Sequence, residues 1–345
     1  MNASDKLQDL AIVRQILLER VAAGEASKLE RLLDDIAEEI QKKLSSEKPL
    51  TSYQSRRLDK IIEQLKELVK IPSPDVTELA RLEAKWAASS IAAVSVSAAL
   101  PTEAVLKGIA EAALVEGATI GEWFKKLEST VAFEIQRNIK IGVSLGETNE
   151  QIAKRIIGAA GDKGPEIMPR AKRDALAIVR TSVQVISNEA RMKTYEENKD
   201  LIKALQWVSV LDSRTSDICM ARSGLTWSFP DLKPIGHKIP YLNGPPAHWA
   251  CRSTVIPILK SWRDLGVDMD EMPESTRASM DGQVAVSTTF EQFLKGKPDS
   301  VADEMLGKGR AQLWREGKIT LSQLLNAKGR PITLAELRRR YAAVP

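Results

Sequence analysis

Cysteine and histidine are scarce in this chain, with only two of each among 345 residues. Two cysteines allow at most one intrachain disulfide, which excludes the framework of a small secreted disulfide-rich domain. Aromatic residues are also few, at 5%. Lys and Arg number 50 against 46 Asp and Glu, a formal net charge of +4. The chain therefore lacks the strong basic bias of a dedicated nucleic-acid-binding protein.

Long apolar runs are absent too. The longest stretch without a charged residue extends from Trp86 to Thr102, and it is too short and too rich in serine to cross a bilayer. The first residues show no basic segment followed by an apolar core. We therefore expect no signal peptide, no membrane partner and assembly in the cytoplasm. Neither GxxxxGKS/T nor GxGxxG occurs, which excludes phosphate-binding loops of those kinds.

Helical periodicity dominates the first two hundred residues. Apolar residues recur at steps of three and four over residues 7–21 and 29–44, and Gly24 is expected to interrupt the helix between these runs. Further helices are predicted over 58–69, 77–100, from 102 onward, 148–157 and 170–198. The last of these helices is expected to carry an outer face of basic residues: Arg170, Lys172, Arg173, Arg180, Arg191 and Lys193.

The composition changes after Leu201. A strand is predicted over 206–211, and residues 212–257 are dense in Gly, Pro, Ser and aromatics, which is typical of a turn-rich segment. Residues 262–280 are predicted to be loop, and a helical portion follows over 289–341. The expected fold is mainly α with a small α+β module. We divide it into a long-helix N-terminal region (1–165), a motif domain (166–262) and a small helical C-terminal tail (263–345).

All the cysteines and histidines of the chain fall between residues 219 and 251. Thiolates and imidazoles are the ligands that zinc prefers, normally four in a tetrahedron. Cys219, His248 and Cys251 are the candidate ligands, and Asp212, His237 or water would be the fourth. Two other interpretations stay open: a cluster of buried residues without a metal, and a disulfide between the two cysteines.

Two short segments flank these donors. Asp212 follows the predicted strand directly, where an aspartate commonly accepts backbone N–H bonds in a turn. The guanidinium of Arg214, two residues later, is suited to binding a carboxylate or a phosphate. Pro246 fixes an extended approach to His248. Structural roles are predicted for Arg214, Thr215, Pro246 and Arg252.

Three sequence motifs lie in this region: LDSRTSDIC at 211–219, GLTW at 224–227 and GPPAHWACRSTVIP at 244–257. Together they resemble the phage Mu F-like head morphogenesis family. Its pattern is an Asp-x-Arg-Thr turn, a Cys, a Gly-aromatic step and a closing Pro-Pro-x-His-x-x-Cys-Arg. The resemblance extends over roughly residues 170–340 through tail segments at 305–319 and 329–337 and through residues of the preceding helix: Arg180, Thr181, Asn188, Ala190, Arg191 and Tyr195. Many members carry cysteines where this chain has Ser216 and Ser253, so a four-cysteine metal site is not expected.

The resemblance implies a structural protein of a tailed bacteriophage and no enzymatic activity. Such a protein would be a minor capsid component, located inside the head of the virion and acting in head assembly, DNA packaging or ejection near the portal. Its implied partners are the portal protein, capsid or scaffold proteins and packaged double-stranded DNA. Zinc is the one candidate cofactor.

Two alternative functions are kept. The first is a phage-encoded nuclease or nucleotide-transfer enzyme, for which the tail offers charged candidates in Glu291, Arg310, Arg315 and Glu316. The second is non-specific DNA binding through the basic helix residues Arg170, Lys172, Arg173 and Arg180 and the terminal cluster at 338–340. Charges of this kind more often form an ordinary solvated surface.

Overall fold

The computed structural model describes residues 3–50, 55–93, 97–158, 167–261, 264, 276–279, 282–285, 288–326 and 328–341. Its helices are α1 (Ala3–Ser46), α2 (Ser55–Leu68), α3 (Thr77–Ala92), α4 (Glu103–Ala112), α5 (Ile120–Ser144), α6 (Asn149–Ile157), α7 (Ile167–Glu197), α8 (Asp217–Arg222), α9 (Phe290–Lys295), α10 (Asp299–Leu306), α11 (Lys308–Arg315) and α12 (Leu334–Tyr341). Its strands are β1 (Leu114–Val115), β2 (Ala118–Thr119), β3 (Ile202–Val208), β4 (Thr226–Ser228), β5 (Pro234–Ile235), β6 (Thr254–Leu259), β7 (Thr276–Ser279) and β8 (Gly282–Ala285). The predicted fold class, mainly α with a small α+β module, is confirmed. None of the described helices combines the length and apolarity needed to span a membrane.

The chain forms two compact units that interleave in sequence. The first unit comprises Met1–Leu18, Thr77–Ile109 and Gln184–Pro345, and the second comprises Glu19–Val76 and Ala110–Val183. Helices α1 and α7 each contribute residues to both units. The division into three consecutive regions at 165 and 262 stays a prediction.

Helix α1 runs without interruption through Gly24, so the break expected there is wrong. A glycine in a helix interior costs only about 1 kcal/mol relative to alanine. Ala22, Ala26 and Leu29 around it are buried. Burial of this apolar stripe outweighs the local preference of one glycine.

In the second unit, Asn149 ties the start of α6 to the end of α1. Its side-chain amide donates to the carbonyl oxygens of Leu44 at 3.0 Å and Glu47 at 2.9 Å. These carbonyls lie at or just beyond the C-terminus of α1, where helix geometry leaves acceptors without an intrahelical partner. Thr148 caps α6 by accepting from the backbone N–H of Gln151, which confirms the helix predicted to start there.

The first unit contains the four-stranded antiparallel sheet, ordered β5-β4-β3-β6. Strand β3 begins at Ile202, four residues before the predicted strand, and ends at Val208. The chain leaves the sheet there because Ser209 turns inward, where its hydroxyl donates to the carbonyl of Cys219 at 2.7 Å. Trp207 and Trp227 lie side by side on the sheet and are fully buried.

The tail helices form a second apolar cluster in the first unit. Phe290, Phe293, Trp314 and Leu337 pack together there with Met220 of α8. The tail therefore covers one side of the short helix that carries Cys219. Most of the predicted loop over 262–280 lies outside the described residues, but β7, at its end, pairs with β8 in an antiparallel hairpin.

The basic face predicted for α7 is wrong at Arg191, because the side chain of this residue is fully buried in the first unit. Its guanidinium lies 2.7 Å from the carboxylate of Glu83, which is equally buried, and donates to Thr254 Oγ1 at 2.6 Å. Arg14 also bonds Glu83, at 2.7 Å. A buried carboxylate far away in the sequence thus makes burial of this arginine possible.

Candidate metal centre

Helix α8 places Cys219 at the centre of the turn-rich module. Ser216 caps this helix by accepting from the backbone N–H of Cys219. The Cys219 thiol points inward and is only 2% exposed.

A tight turn brings His248 and Cys251 together. The N–H of Cys251 donates to the carbonyl of His248 at 3.2 Å, and Ala250 between them has a φ of 55°. This left-handed conformation is uncommon for a residue with a Cβ and is costly unless the surroundings hold it. Upstream, Gly244 has a φ of 73°, and a Cβ there would meet the Tyr241 hydroxyl at 2.7 Å. The Pro245–Pro246 peptide bond in this approach is cis.

The three predicted donors meet in the structure. Cys219 Sγ lies 3.2 Å from Nε2 of His248 and 3.6 Å from Cys251 Sγ. All three ligand atoms fall within 4.8 Å of one another. Both cysteines are free thiols. The residues therefore lie close enough to hold one metal ion.

Hydrogen bonds among these donors shift the pKa values of the two cysteines in opposite directions. The Cys219 thiol donates to the Cys251 sulfur, and His248 bonds it as well; this holds the pKa of Cys251 well below its ordinary value. The same Cys251 contact, together with burial, raises the pKa of Cys219. Nδ1 of His248 bonds the Trp249 carbonyl at 2.9 Å, so Nδ1 carries a proton and Nε2 faces the sulfurs. A backbone acceptor that fixes the tautomer in this way is the usual support of a metal-binding histidine.

The donor spacing fits zinc. With zinc–sulfur bonds of about 2.3 Å, a tetrahedron separates two sulfurs by about 3.8 Å, close to the 3.6 Å seen here. A zinc–nitrogen bond of about 2.0 Å gives a sulfur–nitrogen separation of about 3.5 Å, against 3.2 Å here. Small shifts would seat the ion. An S–S bond of about 2.0 Å would require a larger approach of the two sulfurs.

Asp212 does not join this group of ligand atoms, because its carboxylate is used elsewhere. Both oxygens accept from the Arg252 guanidinium, each at 2.6 Å. The Arg214 N–H donates to the same carboxylate at 3.0 Å, and Thr215 Oγ1 donates to the Val210 carbonyl at 2.6 Å. Burial alone would raise the pKa of Asp212, but Arg252 holds it down at about 2. Asp212 thus fastens the turn before α8 to the residue after Cys251.

His237 lies outside the cluster as well. Its Nε2 donates to the Thr226 carbonyl at 2.8 Å, and its Nδ1 accepts from the Ile239 N–H at 3.2 Å. Its ring packs edge-on against Trp227, with the centroids 4.9 Å apart. Burial lowers the pKa of His237, which keeps the ring neutral in this role. Both ring nitrogens are therefore occupied by backbone groups.

The basic residues predicted to contact DNA lie on the first half of α7, in the second unit. Arg170, Arg173 and Arg180 are exposed. Lys172 instead lies 2.5 Å from Asp34 of α1. Arg170 borders a small surface pocket that Asp174 also lines. Acidic neighbours thus moderate this surface, and DNA binding stays a prediction.

The four charged tail residues considered for catalysis do not form one constellation. Arg310 pairs with Asp217 of α8, and Arg315 lies 2.8 Å from Asp303. Glu291 accepts from the Trp314 indole, and Glu316 accepts from Gln312. Arg310 thus joins the tail to α8, Glu291 and Arg315 join neighbouring segments of the tail, and Glu316 bonds within the end of α11.

Fold and site together define a mainly helical protein whose turn-rich module gathers two thiols and an imidazole. Residues 133–256 match the family model described as Phage Mu protein F like protein, which supports the family resemblance of the sequence motifs. The match begins within α5, ends in β6 and includes every donor of the cluster. The tail resemblance lies beyond it and stays a prediction. No curated protein and no solved structure matches the chain.

Proposed function

We propose that this chain is a minor head protein of a tailed bacteriophage. It acts in head morphogenesis through contacts with the portal and with capsid or scaffold proteins, and is located inside the head with the packaged DNA. The observation that carries the proposal is the family match over residues 133–256, which coincides with the module that assembles Cys219, His248 and Cys251. The structural contacts of the tail charges favour this role over a hydrolytic one.

We further propose that zinc binds at the three donors and stabilises the turn-rich module. Residues 212–257 contain little regular structure beyond α8 and three short strands. A segment of this kind gains from an internal cross-link, and structural zinc contributes directly to folding free energy. The Asp212–Arg252 ion pair would act beside the metal, since it joins the same two ends of the segment.

The proposal is tested in particles. Phage lacking this protein should form fewer complete heads, or heads with reduced DNA content, and should lose infectivity. Cys251→Ala should reproduce that defect, because its loss loosens residues 212–257 and exposes them to protease. Ser213→Ala, in the exposed turn before α8, is the matched control and should behave as wild type.

Two outcomes would contradict the proposal. A Cys251→Ala protein that folds, protects the segment from protease and supports infectious particles would remove the role of the cluster. Normal heads that lack one hydrolytic activity would instead favour the enzyme alternative.

A further inference from the structure

The Ser216 hydroxyl lies beside the Cys/His cluster, next to the His248 imidazole. Its Oγ is 2.7 Å from Nε2 of His248 and 3.4 Å from the backbone nitrogen of Cys219. The side chain thus touches two of the three donor residues. Because Nδ1 of His248 carries the proton, Nε2 accepts this hydrogen bond from Ser216, and a metal on Nε2 would release the hydroxyl for another partner.

Burial differs between the two sides of the cluster. Cys219 and Cys251 are each only 2% exposed, and they face the apolar cluster that includes Trp207 and Trp227. Ser216 and His248 are only half-buried. The corner of the cluster beside Ser216 and His248 is therefore its solvent-facing side.

Neither remaining candidate supplies a protein ligand at this corner. The Asp212 carboxylate is bonded through both oxygens to Arg252, and His237 uses both ring nitrogens on backbone groups. Ser216 offers a neutral hydroxyl, which binds zinc poorly beside thiolate and imidazole. It is suited instead to hydrogen-bond a ligand that the metal holds.

We infer that a divalent metal held by Cys219, His248 and Cys251 keeps one exchangeable position beside Ser216, which takes water or a small anion. The inference rests on the metal binding proposed above. Structural zinc sites normally have four protein ligands, whereas sites with three protein ligands leave a position for an exogenous one. The site thus combines a structural role in the module with a position open to small ligands.

Cobalt(II) reports on this position because its visible absorption depends on coordination. The purified full-length chain is loaded with cobalt and titrated with azide. The wild type should show thiolate-to-cobalt absorption and a saturable change of the visible bands with azide. Ser216→Ala should keep the thiolate absorption but bind azide about tenfold more weakly, the scale expected when a partner outside the ligand shell is removed.

Ser216→Cys provides the sharpest comparison, because it places a third thiolate at the open corner. This variant should show stronger thiolate-to-cobalt absorption and no response to azide. Ser213→Cys adds the same thiol to the exposed part of the turn, away from the cluster, and should respond to azide as the wild type does.

The outcomes separate metal binding from the exchangeable position. Cobalt bound by the wild type without any azide response overturns the exchangeable position and leaves metal binding intact. An azide response that survives in Ser216→Cys places the exchangeable position elsewhere and also overturns the inference. Failure of the wild type to bind cobalt or zinc overturns both the inference and the proposed metal.

Discussion

The two histidines show how hydrogen-bond partners decide the role of a side chain. Nε2 of His248 lies 2.7 Å from the Ser216 hydroxyl and 3.2 Å from the Cys219 sulfur, and its other nitrogen donates to a backbone carbonyl. His237 has backbone groups on both nitrogens and an indole against its ring. Of the two histidines, only His248 has a ring nitrogen beside the cysteine sulfurs. His237 instead fastens the segment that follows β5 to Thr226 of β4.

This difference predicts opposite effects of two matched substitutions. His248→Ala should lose stoichiometric zinc binding, because only two thiols remain. His237→Ala should retain one zinc per chain and lose only about 1 kcal/mol of stability, the scale of a buried hydrogen bond. Zinc content and urea unfolding with and without added zinc measure both effects. At zinc concentrations about 100-fold above Kd, the stabilisation should be about 2.7 kcal/mol in His237→Ala and absent in His248→Ala.

Equal zinc content in the two variants would contradict this assignment. Loss of zinc in His237→Ala alone would move the site toward β4. The circular dichroism of each variant is the control that separates loss of a ligand from loss of the fold.

At the residue scale, the sequence predicts donors better than it predicts their neighbours. Cys219, His248 and Cys251 are identifiable because rare metal-binding residues cluster within a short segment. The partners of Asp212 and Arg191 are not, because Arg252 and Glu83 contact them only after folding. Helical periodicity therefore predicts that Arg191 lies on a solvated face, whereas its side chain is buried.

At the element scale, local signals fix helix starts more reliably than helix interiors. Thr148 with Gln151 forms a capping box, and α6 begins immediately after it, as the sequence predicts. Gly24 carries a local preference against helix, but burial around it decides the outcome. Strand β3 starts four residues before the predicted position. It also ends earlier than predicted, because the apolar residues continue beyond Ser209, where the chain turns inward. Composition alone therefore misplaces both ends of the strand.

Two glycines within helices test this view, because replacing them with alanine is expected to change the free energy of unfolding in opposite directions. Gly24 has no heavy atom within 4 Å of the position a Cβ would take. Gly24→Ala should therefore raise the free energy of unfolding by about 0.5–1 kcal/mol. At Gly142 in α5, a Cβ would meet Ile152 Cγ1 at 2.6 Å and the Glu147 carboxylate at 2.8 Å. Gly142→Ala should lower the free energy of unfolding by about 1–3 kcal/mol through overpacking.

Urea unfolding of both variants checks the prediction, and both glycines belong to the second unit. A destabilised Gly24→Ala protein would indicate that α1 is not helical at that position. A neutral Gly142→Ala protein would indicate that α5 and α6 separate more easily than their close approach suggests.

At the scale of the whole molecule, the interleaving of the two units is beyond what sequence patterns predict. Sequence periodicity identifies helices, but it does not show that α1 and α7 each contribute to two units. Three consecutive regions are the simplest expectation from such patterns. The small net charge of +4 can be read from the sequence. The pairing of Lys172 with Asp34 cannot, because it depends on the approach of segments that are distant in the sequence.

This charge distribution gives a test of DNA binding. Arg170 and Arg180 are exposed on α7, whereas the Lys172 ammonium already lies 2.5 Å from Asp34. If packaged DNA binds this surface, the slope of log affinity against log salt should shrink by about 0.9 for each phosphate that is no longer neutralised. Changing Arg170 and Arg180 to glutamine should therefore flatten the slope, and Lys172→Gln should change it much less. Retention on double-stranded DNA over a salt series measures both. A slope that is shallow in the wild type and unchanged in the variant with both arginines replaced would show that Arg170 and Arg180 form an ordinary solvated surface, because they would then release no counterions from the DNA.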